Sequence, residues 1–336
     1  MKKVCKPICL LLAIVSIFAM AGCKKEEAKS STPNGSTVSG DPSGKKYKVG
    51  IVQQLEHQAL DAATEGFKAA LVELLGAENV EFDYQNAQNE PTNCASIATK
   101  FVNDKVDLIM ANATTALQSA AAATSTIPIV GTSITDYVSA GVIESNDAPG
   151  GNVTGASDLA PIDGQIDLLI KLCPDAKTVG IVYCSSEANS VFQAEKAEEA
   201  LKAKGLSAKV YTVSDSNDIQ AVVTTAVGEV DAIYIPTDNT LADNMEIVKN
   251  ITVPAKIPVI AGEENMCKVG GLATLSISYY SMGYSAGKIA YDILVNGADP
   301  ATTPIVYADE VTMKYNKEIA DLLSWPIPDD LVAIGE

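Results

Sequence analysis

KVGIVQQLEHQALDAATEGF, residues 48–67, opens on an apolar run bounded by Lys48 and Gln53 and passes through a polar loop at 53–58. It then resumes with Ala59, Leu60, Ala63, Phe67 and, just beyond, Ala70 at helical spacing. An uninterrupted apolar run of this length reads as a parallel strand buried on both faces, and the spacing that follows reads as a helix packed against it. The order strand, loop, helix places the loop at the carboxyl end of a parallel strand, where open α/β sheets bind their ligands.

The pattern returns roughly 130 residues later as TVGIVYCSSEANSVFQAEKAEEAL, 178–201. Further matches follow in order. KVDLIMANATTAL at 105–117 is answered by EVDAIYIPTDNTL at 229–241, and TIPIVGTSITD at 126–136 by KIPVIAGEEN at 256–265. The fold expected is α/β, with two similar doubly wound parallel-sheet lobes. Any two α/β domains share βαβ patterns, so this architecture requires no common lineage. Strands are expected near Val49, Val80, Asp107 and Pro128, and again near Val179, Lys209, Ala232 and Pro258. Residues 146–161, NDAPGGNVTGASDLAP, are dense in Gly and Pro and read as a crossover between lobes rather than a core element. A helix is expected over 282–295, ending at Asn296-Gly297.

The chain has 336 residues, 47% hydrophobic and 20% charged, enough for two domains with sizeable cores. Residues 1–22 read as a signal peptide: Lys2, Lys3 and Lys6 precede an apolar run at 8–19 that is too short for a permanent span. Met20-Ala21-Gly22-Cys23 resembles a bacterial lipobox, which implies a mature chain beginning at lipidated Cys23; an ordinary secretory signal with an incidental cysteine is the alternative. Residues 23–45, rich in Ser, Gly, Pro and Thr, read as a flexible tether. Loss of the three signal lysines takes the formal charge from −18 to about −21. So acidic a protein is repelled by nucleic acid and by anionic lipid, so the membrane would hold it through the lipid alone. Cys94, Cys173, Cys184 and Cys267 show no CxxC spacing and read as buried free thiols.

No HExxH or Walker loop is present, and the GxSxG match Gly283-Tyr284-Ser285-Ala286-Gly287 falls inside the helix expected over 282–295 rather than at a strand-to-helix elbow; no cofactor or metal is expected. His57 is the single histidine. It lies with Gln53 in the first strand-end loop and is a candidate ligand contact, by stacking or hydrogen bonding. Helix capping and catalysis are the alternatives.

The segments VGIVQQLEHQALD, ITDYVSAGVIES, PGGNVTGASD, EANS, VDAIYIPTDN and SYYSMGYSAGKIAYDILVNG resemble those of substrate-binding lipoproteins of ATP-binding-cassette importers, in the branch with tryptophan- and tyrosine-binding members. The likeness spans nearly all of the chain after the tether. It implies a type I periplasmic-binding-protein clamshell: 46–156 plus about 282–305 in the N-terminal lobe, and 157–281 plus about 306–336 in the C-terminal lobe. It also implies a separate permease and ATPase as partners, an outward-facing lipid-anchored location and no catalysis; a monomer is expected. The chain departs from the family pattern at Asp136-Tyr137, where proline often follows the aspartate.

A zwitterionic amino acid needs donors for its carboxylate and an acid for its ammonium. Ala113, Thr114, Thr115, Ser133 and Thr135 in the first lobe, and Asn189 and Ser190 in the second, offer hydroxyls and N–H groups at helix starts. Thr114, Thr135 and Ser190 serve equally well as N-caps. For the ammonium, Asp238 beside Asn239 is the leading candidate, followed by Glu263, Glu264 and Asp136; a helix cap is the other reading of Asp238. Tyr183 is expected either to line the pocket or to pack in the core. Rival functions are a receptor for a sugar or nucleoside, an adhesin or sensor on the same fold, and an enzyme pairing His57 with Asp238 or Glu263. The 5% aromatic content weighs against a sugar, whose ring is held by stacking.

Overall fold

The computed structural model describes residues 44–308 and 310–335. The signal peptide, the lipobox with Cys23 and almost all of the tether lie outside them.

The first sheet holds five parallel strands, β1 (Tyr47–Gln53), β2 (Val80–Asn86), β3 (Leu108–Asn112), β4 (Ile129–Ile134) and β5 (Val153–Ser157), in the order β2-β1-β3-β4-β5. The second has seven: β6 (Thr178–Cys184), β7 (Ser207–Val213), β8 (Ala232–Ile235), β9 (Val259–Ala261), β10 (Ala273–Ser276), β11 (Thr312–Tyr315) and β12 (Val332–Ala333). Its portion β7-β6-β8-β9-β10 repeats the order of the first sheet with every pair parallel, and β11 is added antiparallel to β10. The sequence repeat is thus a repeat of topology. Both sheets switch direction beside their first strand, and the strand-end loops converge there.

β5 corrects the reading of 146–161 as irregular crossover. All five of its residues are buried, pairing parallel to β4. Small residues make it inconspicuous, and they are needed. A Cβ on Gly155, whose φ is +150°, would lie 2.1 Å from the Gly131 carbonyl and 2.4 Å from the Tyr137 hydroxyl. Tyr137 is fully buried in that space and donates its hydroxyl to the Ala156 carbonyl at 3.0 Å.

Helices cover both faces of each sheet. On one face of the first lie α1 (Gln58–Leu75) and α10 (Tyr279–Asn296); on the other lie α2 (Pro91–Asn103) and α3 (Thr114–Ala123). Phe67 and Leu71 of α1 are fully buried, each contributing about 2–3 kcal/mol of transfer free energy. α1 and α10 touch backbone to backbone: a Cβ on Gly283 would lie 1.9 Å from the Ala63 carbonyl. α10 ends at Gly297 in the left-handed conformation, as expected, but begins three residues before Met282, at Tyr279. Around the second sheet pack α4 (Ile162–Leu172), α5 (Ala188–Ala203), α6 (Ile219–Ala226), α7 (Asn239–Asp243), α8 (Met245–Ala255), α9 (Glu264–Val269) and α11 (Lys317–Leu323). The chain passes between the sheets after β5, after β10 and before β11. Cys94, Cys173, Cys184 and Cys267 are buried free thiols, as read from their spacing.

Candidate functional site

The strand-end loops of the two sheets meet around a cavity of about 10 Å³, room for a single water molecule. From the first sheet come His57, Leu60, Ser133 and Thr135; from the second, Asn189, Thr237, Asp238, Asn239, Ala242, Glu263 and Met266. Asp158 and Tyr279, from two of the crossings, form the remainder of its wall.

On the first-sheet side the loop after β1 is held by Gln53, which is fully buried. Its Nε2 donates to Asp61 Oδ1 at 2.7 Å and to the Leu55 carbonyl at 2.9 Å, while its Oε1 accepts from Thr64 at 2.7 Å. Gln53 therefore shapes the loop and does not line the cavity. His57 stands at the start of α1 without capping it: its Nε2 meets Asn239 Oδ1 across the cleft at 3.3 Å. Among the described residues no hydrogen bond joins His57 to Asp238 or Glu263. At the end of β4, Ser133 adopts φ +57° and the register with β5 shifts between Gly131 and Ile134. Such a bulge re-aims side chains, here Ser133 and Thr135, at a strain of order 1 kcal/mol.

Asp158 follows β5 at the first crossing. Its Oδ1 accepts from the Thr135 hydroxyl at 3.1 Å and its Oδ2 from the Tyr279 hydroxyl at 2.9 Å. Three further acids are buried around the cavity, and each already has backbone partners. Asp238 accepts from the Leu241 N–H at 2.8 Å, capping α7, and from the Cys184 N–H at 2.7 Å, with Ser190 also bonded to it. Glu263 accepts from the Asn265 and Met266 N–H groups at 2.7 and 2.5 Å, capping α9. Glu187, before α5, takes the Asn239 and Thr240 N–H groups at 3.0 and 2.8 Å, together with both of their side chains.

The four carboxyls are between 1% and 4% exposed. Burial pushes Asp158 up to about 6 and Glu263 up to about 7, and burial together with the neighbouring Glu187 pushes Asp238 up to about 7. The chain contains no arginine, and no lysine lines the cavity among the described residues. Asp158 stands apart from the other three. Its partners are two neutral hydroxyls and its own backbone N–H, so it caps no helix and is the one of the four not tied to the fold of a neighbouring helix.

Of the residues read from the sequence, the structure brings His57, Ser133, Thr135, Asn189, Asp238, Asn239 and Glu263 to the cavity. Ser190 lies beneath it against Asp238. Ala113, Thr114 and Thr115 stay outside, and the Thr115 N–H is taken by Gln54 at 3.2 Å. Asp136 bonds the Ser139 N–H at 2.6 Å in its own turn. Tyr183 packs against the core. Glu264 pairs with Lys314 at 2.6 Å beside a separate 570 Å³ cavity between the crossings. Asp158, Glu187, Thr237 and Tyr279 were not singled out in the sequence. A buried strand ending in aspartate was the available signal for Asp158, hidden by the small residues of β5. The lobes also bond each other directly, through His57 to Asn239, Asn89 to Thr240 at 3.2 Å and Gln193 to Thr135 at 3.3 Å.

Residues 48–335 match the family described as ABC transporter substrate binding protein. A curated relative, the tyrosine-binding protein of Clostridioides difficile (strain R20291), is 36% identical over 312 residues, covering 92% of this chain and 89% of its own. Among solved structures, a Streptococcus pneumonia ABC domain in complex with L-Trp shares 33% identity with a TM-score of 0.83, covering 86% of this chain and 99% of that one. The ligand-free, open structure of a Clostridium difficile substrate-binding protein with adhesive properties shares 38% identity with a TM-score of 0.68, at the same coverages of 86% and 99%.

Proposed function

Because the chain belongs to the ABC transporter substrate-binding protein family, which delivers small solutes to a permease and its ATPase, we propose that its own solute is an aromatic amino acid, held between the lobes with its ammonium on Asp158. The observation that carries this reading is the acidic cavity itself. Three buried carboxyls, Asp158, Asp238 and Glu263, line it, with Glu187 buried behind Asn239, and no cationic side chain faces them; a buried negative charge is costly until it is paired. An α-ammonium supplies the missing charge. The tyrosine and tryptophan named for the relatives favour an aromatic ligand, and Leu60, Ala242 and Met266 offer apolar surface for its ring. Ser133, whose buried hydroxyl has no partner, is a donor for the ligand carboxylate.

The mechanism is a closure equilibrium. Contacts between the lobes form only when they close, and a ligand touching both shifts the population toward the closed form. The higher TM-score with the L-Trp complex than with the open structure, despite the lower identity, favours reading the present arrangement as closed. A cavity of about 10 Å³ holds no amino acid, so the lobes must part to admit the ligand and close around it less tightly than they do here. The lobe boundaries at 46–156 with 282–305, and 157–281 with 306–336, belong to this proposal, as does outward-facing anchorage through Cys23. Among the described residues no helix is long and apolar enough to cross a membrane.

Calorimetric titration of the protein with the twenty amino acids, their N-acetyl derivatives, sugars and nucleosides tests it. Binding confined to tyrosine, tryptophan or phenylalanine, abolished by N-acetylation, is the expected result. Equal binding of the N-acetyl forms removes the ammonium contact, and binding of a sugar alone removes the amino-acid reading.

A further inference from the structure

His57 Nδ1 is buried and has no hydrogen-bond partner, in a ring that lines the cavity. The neighbouring contacts determine which ring nitrogen carries the proton. Asn239 Nδ2 lies 2.7 Å from Glu187 Oε2, an oxygen that already accepts the Asn239 N–H at 3.0 Å. Only a donor can approach that acceptor so closely, so the amide must present its Oδ1 to His57. A carbonyl oxygen can only accept, and therefore Nε2, 3.3 Å away, bears the hydrogen. Burial holds the imidazole below its usual protonation range, which keeps it neutral near pH 7. Nδ1 is then a bare lone pair facing no donor of the protein.

We propose that His57 determines specificity in the cleft, its Nδ1 accepting a hydrogen bond from a donor on the ring of the bound amino acid, a phenol O–H or an indole N–H. This rests on the aromatic amino-acid reading above. The ammonium has the better partner in Asp158, a charge rather than a neutral ring, and the apolar atoms of Leu60, Ala242 and Met266 beside His57 suit the body of an aromatic ring. His57, Ala242 and Glu263 also line a second cavity of 200 Å³, so the imidazole borders both and stands at the edge of the first, where the far end of a ligand would lie. A phenylalanine bound in this way would leave Nδ1 buried and unpaired, a penalty that lowers affinity by about 10- to 100-fold.

The test compares L-tyrosine with L-phenylalanine, and L-tryptophan with 1-methyl-L-tryptophan, by calorimetry on the wild-type protein and on His57→Phe. The ligand carrying the donor is expected to bind the wild type 10- to 100-fold more tightly than its counterpart. In the variant the ratio should fall to about threefold or less. Because the chain has one histidine, ¹⁵N-histidine NMR of the wild type reads the same site without a mutation. It should show a protonated Nε2 in the free protein and an Nδ1 resonance that moves on ligand binding. A protonated Nδ1, an unchanged ratio in His57→Phe, or equal losses for both ligands of a pair overturns the proposal while leaving amino-acid binding intact. Failure of all four ligands on the wild type overturns the aromatic reading and this inference with it. If His57→Phe does not unfold cooperatively, the wild-type ratios and the NMR tautomer decide.

Discussion

Replacing Asp158 by asparagine should strengthen the fold and weaken binding at the same time. In the unliganded protein the carboxyl is 4% exposed, bonded to two hydroxyls and pushed up by burial to about 6. A carboxyl that titrates near 6 rather than near 4 opposes burial of its charge at pH 7.5 by about 3 kcal/mol. Asparagine has nearly the same shape and no charge, but its amide nitrogen can no longer accept one of the two hydroxyls, a loss of about 1 kcal/mol. The net expectation is a gain of about 2 kcal/mol in unfolding free energy at pH 7.5. Binding moves the other way. The ammonium loses its charge partner in a desolvated cleft, a change of about 2–4 kcal/mol, or roughly 30- to 1000-fold in Kd. Urea denaturation and calorimetric titration of the same preparations measure the two quantities. An affinity within about threefold of wild type would refute the ammonium assignment. A fall in stability parallel to the fall in affinity would instead show Asp158 to be a structural link between Thr135 and Tyr279.

Tyr279→Phe removes the hydroxyl that stabilises ionised Asp158 and should weaken binding by about 1–2 kcal/mol by calorimetry, with L-tyrosine and L-tryptophan affected alike. The pH dependence of stability has a defined sign. Asp158, Glu263 and Asp238 titrate at about 6, 7 and 7 in the folded protein, above the usual carboxylate range, so between pH 4 and 7 these three groups hold more protons in the folded form than in the unfolded, outweighing the single buried, neutral His57, which acts in the opposite direction. The ligand-free unfolding midpoint should therefore fall as pH rises from 5 to 7.5. A bound amino acid should raise it more at pH 7.5 than at pH 5, and a midpoint that rises with pH in this window would contradict the burial of these acids. Gly283→Ala drives a Cβ into the Ala63 carbonyl and should cost about 2–3 kcal/mol in urea denaturation, with little change in affinity once folded. Cys23→Ala should release the protein from the membrane fraction, and unchanged retention would exclude the lipid anchor.

What the chain reveals before it folds is the part encoded by near neighbours. The apolar runs at Val49 and Val179, the helical spacing of Ala59, Leu60, Ala63 and Phe67, and their return in the same order predict two similar parallel sheets. They also place His57, Asn189 and Asp238 in loops at strand ends, because side-chain periodicity reports directly which faces are buried. The roles of the acids are not encoded in this way. Asp238 and Glu263 each precede a helix, and their caps on Leu241 and on Asn265 and Met266 are made within three residues; a cap and a ligand contact look alike in sequence. Asp158 has its partners 23 and 121 residues away, and Glu187 takes N–H groups 52 and 53 residues away. Neither relation leaves a local trace. β5 escaped notice for a related reason: Gly155 has no side chain because Tyr137 and Gly131 of β4 crowd against it, and that crowding exists only once the sheet has formed. The sequence by itself determined the two lobes and the edges from which a site could be built. Only the tertiary structure decided which of the buried acids cap helices and which do not, and which ring nitrogen of His57 is left without a partner, because burial and hydrogen-bond competition are properties of the assembled cavity.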